Sequence, residues 1–176
     1  HHEKAAFDWV EFGRILSDKL SRLDRKIALT IEPGRAAIAG CAVLLARVVA
    51  VKWQGKKQIL GVDSTIANLS VPSVHGGYRE LVSWNDSDEL FTTDVCGNTT
   101  YSRDYLGRNC QLPQLRIDDL VAILDVGAYG YAMSSHFLHR PRPAEVLLDQ
   151  DSHRLIRQRE DYQILLTGQI FEEDRS

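Results

Sequence analysis

Phe7, Phe12, Ile15, Leu16, Leu20 and Leu23 recur at helical spacing, and Glu11, Arg14, Asp18, Lys19 and Arg22 fill the opposite face. That pattern predicts an amphipathic helix over residues 6 to 24. Ile27-Ala28-Leu29-Thr30-Ile31 then forms a short, almost unbroken apolar run, which predicts a strand buried on both faces. From Cys41 the period drops towards two. Val43 to Trp53 and Gln58 to Asp63 flank Gln54-Gly55-Lys56-Lys57 and read as a hairpin. Further strands are expected at Glu80 to Trp84, Phe91 to Cys96, Leu120 to Val126, Ala144 to Asp149 and Arg154 to Gln158, with a short helix at Glu160 to Leu166. Short strands in close succession predict a mainly β domain, a sandwich or a barrel. Between them, Ser64 to Tyr78, Gly97 to Gln111 and Gly127 to Pro143 read as loops longer than a compact domain needs, a length usually tied to function.

Composition narrows the classes. Of 176 residues, 44% are hydrophobic and 26% charged, as in ordinary globular chains. Lys and Arg number 21 against 24 Asp and Glu, a net charge of -3 that provides no basic field for nucleic acid or an anionic membrane. The longest apolar runs are too short to span a bilayer and no signal peptide is recognisable, so a cytoplasmic protein is expected. Cys41, Cys96 and Cys110 lack the spacing of a zinc site and are odd in number, so reduced thiols and no metal are expected. Glu32-Pro33-Gly34-Arg35 follows the apolar run, where Pro ends pairing and Gly permits a tight turn or a close approach to a ligand.

Three motifs in fixed order are specific: Glu32-Pro33-Gly34-Arg35, Asp104-Tyr105-Leu106-Gly107-Arg108, and Gly127-Ala128-Tyr129-Gly130-Tyr131-Ala132-Met133-Ser134-Ser135 leading to Arg140-Pro141-Arg142-Pro143. Over residues 25 to 165 the chain resembles the carboxyl-terminal part of the fold-type III pyridoxal-phosphate decarboxylases, the ornithine/diaminopimelate/arginine group, with the diaminopimelate branch nearest. The resemblance implies that residues 1–40 are the last helix and strand of a TIM-like (β/α)8 barrel, 41–170 a carboxyl-terminal β domain and 171–176 a tail. It also implies pyridoxal 5'-phosphate as cofactor, an amino-acid substrate and a homodimer with a shared active site. By matching motif positions, Glu32 would face the cofactor's ring nitrogen, Gly34 and Arg35 would lie at its phosphate, Arg35 also serving a substrate carboxylate, and Tyr129 would reach the phosphate or the substrate. Read without the family, Glu32 and Arg35 could equally be a loop ion pair and Tyr129 a core aromatic. Arg140 and Arg142 are assigned to structure, on an extended proline-stiffened approach to a strand.

The departures from the family concern substrate and product. Aligning Gly97 and Asp104 places Thr100 where the family has its proton-donating cysteine and Tyr101 where it has a glutamate. Threonine is a far weaker acid than cysteine, so the proton would come from Tyr101, water or another group; Cys96, four positions early, is a poor substitute. Val71 replaces an arginine, and His75 stands near the position of a tyrosine. These changes imply a substrate other than diaminopimelate, another or a conjugated amino acid, with His75, Tyr101, Ser102 and Arg103 joining Arg35 and Tyr129 in the substrate set. His75 reads equally well as a loop histidine without a role. The family's cofactor lysine and glycine-rich phosphate loop belong to the barrel, and none of Lys4, Lys19, Lys26, Lys52, Lys56 and Lys57 occupies the lysine's context. This polypeptide alone is therefore expected to be inactive. Two alternatives stay open: a noncatalytic dimerisation or ligand-binding relative, and a pyridoxal-phosphate enzyme with a decarboxylative-transamination or racemase outcome.

Overall fold

A computed structural model describes residues 7–170. The chain divides into two compact units at Pro33/Gly34. The first contains helix α1, Trp9–Ser21. Its start is set locally: the Asp8 carboxylate accepts from the backbone N–H groups of Val10 at 3.0 Å and Glu11 at 2.9 Å, relieving donors that the first turn cannot satisfy. Phe7, just before the cap, packs at a tilt against Phe12 with 5.4 Å between ring centroids, a hydrophobic staple that fixes the entry of the chain. The strand expected at Ile27–Ile31 is not formed: these residues are exposed and make no ladder. Apolar β-branched residues favour a strand only when a neighbouring strand is there to pair with them.

The second unit is the β domain. Helix α2 (Arg35–Ile38) and a 3-10 turn lead into β1 (Leu44–Gln54), β2 (Lys57–Val62), helix α3 (Val71–Val74), β3 (Leu81–Ser83), β4 (Leu90–Cys96), β5 (Tyr105–Pro113) and β6 (Leu120–Ile123). These six strands form one sheet in the order β3-β6-β1-β2-β4-β5. Neighbours are antiparallel except β2 and β4, which run parallel, Leu60 opposite Val95. The end strands β3 and β5 approach one another, so the sheet curls nearly shut, and of the two expected architectures the barrel-like one forms. A separate hairpin, β7 (Glu145–Asp149) with β8 (Ser152–Arg157), follows. The expected terminal helix is a 3-10 segment, Tyr162–Leu166.

Alternation along the strands builds the core. Val48, Leu60, Val62, Val95, Leu106, Leu112, Leu115, Val121 and Ile123 are buried inside the curled sheet. One polar side chain joins them: Gln58, fully buried, donates to Thr93 Oγ1 at 3.0 Å and the Pro113 carbonyl at 3.1 Å and accepts from Leu115 N–H at 2.8 Å. It ties β2 to β4 and to the end of β5.

The segment from Gly97 to Gln111, read as one loop, contains most of β5. Gly107 and Asn109 disguise it. Asn109 takes φ 53, and its amide donates to the Asp94 carboxylate at 2.8 Å where the β4/β5 register shifts. The irregularity breaks the period of two while leaving the ladder paired.

Candidate functional site

Three loops gather at one end of the sheet, held by backbone-directed bonds. Asp104, buried directly before β5, is the hub: one carboxylate oxygen accepts from Ile66 N–H at 2.7 Å, and the other accepts from Thr99 N–H at 3.1 Å and from the Thr99 hydroxyl. Gly97 must be glycine, because a Cβ there would lie 2.2 Å from the Asp104 carboxylate. The Ser73 hydroxyl donates to the Arg103 carbonyl, Arg140 to the Asn98 carbonyl at 2.9 Å, and Ser135 N–H to the Ala67 carbonyl at 2.9 Å. Loops 64–78, 97–104 and 127–143 are therefore fastened as one block.

Glycines place Tyr129. A Cβ on Gly127 would meet the Ile38 carbonyl oxygen at 1.9 Å, and one on Gly130 would meet the Val126 carbonyl oxygen at 2.2 Å. Gly127 N–H donates to the Ala39 carbonyl at 2.9 Å, so this loop lies directly on the segment that follows Arg35. Tyr129 between them is held at φ 60, a left-handed conformation costly for a bulky residue and frequent at working sites. Its exposed ring sits under the Arg35 guanidinium, 5.3 Å from carbon to ring centroid. Gly34 precedes Arg35 at φ 40. A guanidinium and a phenol hydroxyl together, neither in an ion pair among the described residues, are a donor set suited to a phosphate or carboxylate.

The other sequence-derived residues scatter more. Glu32 is exposed in the first unit. Thr100, Tyr101, Ser102 and Arg103 are exposed on the 97–104 turn, where the Tyr101 ring packs edge-on to Phe137 at 5.7 Å. Ser102 and Arg103 line a cleft of about 620 Å³ between the 72–79 segment and β5; His75, which caps α3 and is exposed, does not line it. Burial pushes the Cys96 thiol up in pKa, helped by the Asp94 and Asp104 carboxylates, and burial and Asp94 do the same to Cys110. Neither thiol is activated as an acid or nucleophile.

Sequence reasoning passed over Arg79. It is 7% exposed and lines the same cleft. Burial lowers its pKa from the usual guanidinium value, as does the Arg35 charge, and Asp125 partly offsets both. Its place two residues before β3 was the only available signal, since an arginine flanking a strand is ordinarily solvated.

A nearly closed sheet that carries interlocked loops at one end defines the class of β domain to which this chain's second unit belongs. The chain belongs to the family described as "Pyridoxal-dependent decarboxylase, C-terminal sheet domain", whose profile matches residues 24–127. Among curated proteins it is similar to the diaminopimelate decarboxylase of Archaeoglobus fulgidus, 39% identical over 145 residues, 80% of this chain and 34% of that protein. It is also similar to that of Methanothermobacter thermautotrophicus, 38% identical over 159 residues, 88% of this chain and 37% of that one. In structure it resembles the Helicobacter pylori diaminopimelate decarboxylase crystallised with L-lysine, with a TM-score of 0.81 and 29% identity over 94% of this chain and 40% of that chain. The chain thus spans about a third of the length of the curated relatives it matches.

Proposed function

We propose that this chain is the carboxyl-terminal portion of a pyridoxal-phosphate-dependent amino-acid decarboxylase and that its loops complete an active site shared between two copies. Family membership supports the class, and the observation that carries the reading is Arg35 beside Tyr129 on a loop locked by Gly127 and Gly130. Bound at such a site, the cofactor supplies an electron sink for the bond to the departing carboxylate. Arg35 and the Tyr129 hydroxyl would hold its phosphate, and Gly34 would let the backbone come close. Glu32 would keep a proton on the ring nitrogen.

The substrate we infer is an amino acid other than diaminopimelate, or a conjugated one. Val71 is buried and apolar and offers nothing to a carboxylate. Tyr101, Ser102, Arg103 and His75 are exposed on the two loops and would read the substrate. With Thr100 where a thiol would serve as acid, and Cys96 raised in pKa, we assign return of the proton to Tyr101 Oη.

The test is carbon dioxide release by the complete protein with pyridoxal phosphate, across basic, acidic and acyl-linked amino acids. Release from at least one, with Tyr129→Phe weakening cofactor binding severalfold, is the expected result. Cofactor binding without release from any substrate would overturn the decarboxylase reading; failure to bind the cofactor would overturn the enzyme reading altogether.

A further inference from the structure

Tyr101 is exposed on the 97–104 turn, and its main chain is pinned on both sides. Its N–H donates to Thr99 Oγ1 at 3.3 Å, and its carbonyl accepts from Asp104 N–H at 3.0 Å. Neither bond sets the direction of the ring. The phenol hydroxyl has no hydrogen-bond partner among the described residues, and an exposed tyrosine otherwise samples several rotamers. A group that returns a proton must lie within hydrogen-bond reach of the atom it serves, and a misplacement of about 1 Å is already costly. The ring has to be aimed from outside its own turn.

The 135–140 segment supplies the aim. Phe137 stands edge-on to the Tyr101 ring, 5.7 Å between centroids with the planes at 85°, the perpendicular arrangement that aromatic pairs favour. Its position is forced. Ser135 N–H donates to the Ala67 carbonyl at 2.9 Å and Arg140 Nη2 to the Asn98 carbonyl at 2.9 Å, so both ends of the segment are tied to the neighbouring loops. Between those ties the chain closes tightly: Phe137 N–H donates to Ser135 Oγ at 3.3 Å and His139 N–H to the His136 carbonyl at 2.8 Å. Leu138 and His139 are driven to φ 53 and φ 54, left-handed conformations that are costly for a leucine and persist only where the surroundings impose them. Burial of Phe137 does not account for that cost, because the residue stays 44% exposed. The strained turn lays an aromatic ring against Tyr101.

We propose that Phe137 is the positioning residue for Tyr101, a stop held by the 136–139 turn that fixes the direction of Oη. In the step it serves, the bond to the carboxylate breaks and its electron pair stays with the carbon. That carbon then takes the proton from Tyr101 Oη, and the phenolate regains one from water. This role rests on the assignment of proton return to Tyr101.

The experiment uses the complete protein with pyridoxal phosphate, and L-lysine, L-ornithine, L-glutamate and Nε-acetyl-L-lysine as probes. The first readout is amine formed per carbon dioxide released, which isolates proton return from the earlier steps. The parent should give about one amine per carbon dioxide, and Phe137→Leu, apolar but without a ring, should lower that ratio at least about twofold. Phe137→Tyr should restore it. A merely structural role would reduce both products together and leave the ratio unchanged. The second readout is fluorine NMR of fluorotyrosine-labelled protein, with the Tyr101 signal identified by its loss in Tyr101→Phe. That signal should be displaced from the exposed-tyrosine position in the parent and collapse onto it in Phe137→Leu. A Tyr101 signal unmoved by Phe137→Leu would overturn the proposal, as would a ratio that falls in Tyr101→Phe but not in Phe137→Leu. An unchanged ratio in Tyr101→Phe would instead overturn the assignment of the proton to Tyr101, and the proposal with it. No carbon dioxide from any probe would count against the decarboxylase reading, with the fluorine signal still deciding whether Phe137 sets the ring.

Discussion

Gly127 and Gln58 are the residues at which single-atom geometry decides most. The Cβ of Gly127→Ala would start 1.9 Å from the Ile38 carbonyl oxygen, so the loop or the segment after Arg35 must move. The expected result is a loss of about 2 kcal/mol or more in urea unfolding, together with weakened cofactor binding through displaced Tyr129. Gln58→Leu keeps approximate volume but strands Leu115 N–H in the core and takes a donor from the Pro113 carbonyl. A loss of about 2 to 3 kcal/mol in the same assay is expected, and a neutral outcome would show that the core can rearrange to satisfy them. Arg79 shows why the residue scale is hard to read in advance. Its Nε and Nη2 are buried without a hydrogen-bond partner, and that is a property of its neighbours.

The segment leading to hairpin β7–β8 shows an electrostatic latch at the scale of elements. Glu160 receives Arg142 N–H at 2.8 Å, Arg142 Nη1 at 3.1 Å and His136 Nε2 at 2.7 Å, tying the segment after β8 to the one before β7. Burial alone would raise the pKa of this carboxyl, but the backbone bond from Arg142 and the His136 and Arg142 side chains outweigh it and lower it from 4.5 to about 2. A lowered folded-state pKa contributes stability that is complete above about pH 4.5 and is lost as pH falls through 2. Unfolding measured from pH 7 down to pH 2 should therefore show a drop in that window, and Glu160→Gln should be less stable at pH 7 and flatter across it. The same bonds confirm Arg142 as structural: its Nε donates to Ser134 Oγ at 2.9 Å, and its guanidinium flanks the Tyr131 ring, as does that of Arg157. Helix α1 rests on a simpler device, and Asp8→Ala should cost about 1 kcal/mol of helix stability, read as lost ellipticity on warming.

At the scale of the whole molecule, exposed residues 24–33 of the first unit have no regular structure beyond a bend, whereas the second unit is built on a tightly paired sheet. Limited trypsin digestion of the isolated chain should cut at Arg25 or Lys26 before Lys52 or Arg47 on β1; first cleavage inside the sheet would contradict the division into two units. Much of the β domain was legible beforehand. The runs at Val43 to Trp53, Gln58 to Asp63 and Phe91 to Cys96 became β1, β2 and β4 within a residue or two, because half-buried strands must alternate. β5 was hidden because Gly107 and the left-handed Asn109 interrupt that alternation, and Ile27–Ile31 formed no strand because apolarity does not supply a partner.

The candidate site divides in the same way. Glu32, Arg35 and Tyr129 stood out because fixed motifs carry their own spacing, and the Arg35–Tyr129 pair forms since the glycines beside Tyr129 let its loop lie on the backbone just after Arg35. The amino-acid order by itself determined the alternating strands, the helix cap at Asp8 and the motif residues, all of them local in sequence. Only the tertiary structure decided that Asp104 is a hub and not an acid, that His75 lies off the cleft and that Arg79 is buried with idle donors. Those facts depend on loops tens of residues apart, such as 66 with 104 and 73 with 103, and no local pattern encodes which groups a folded chain leaves without partners.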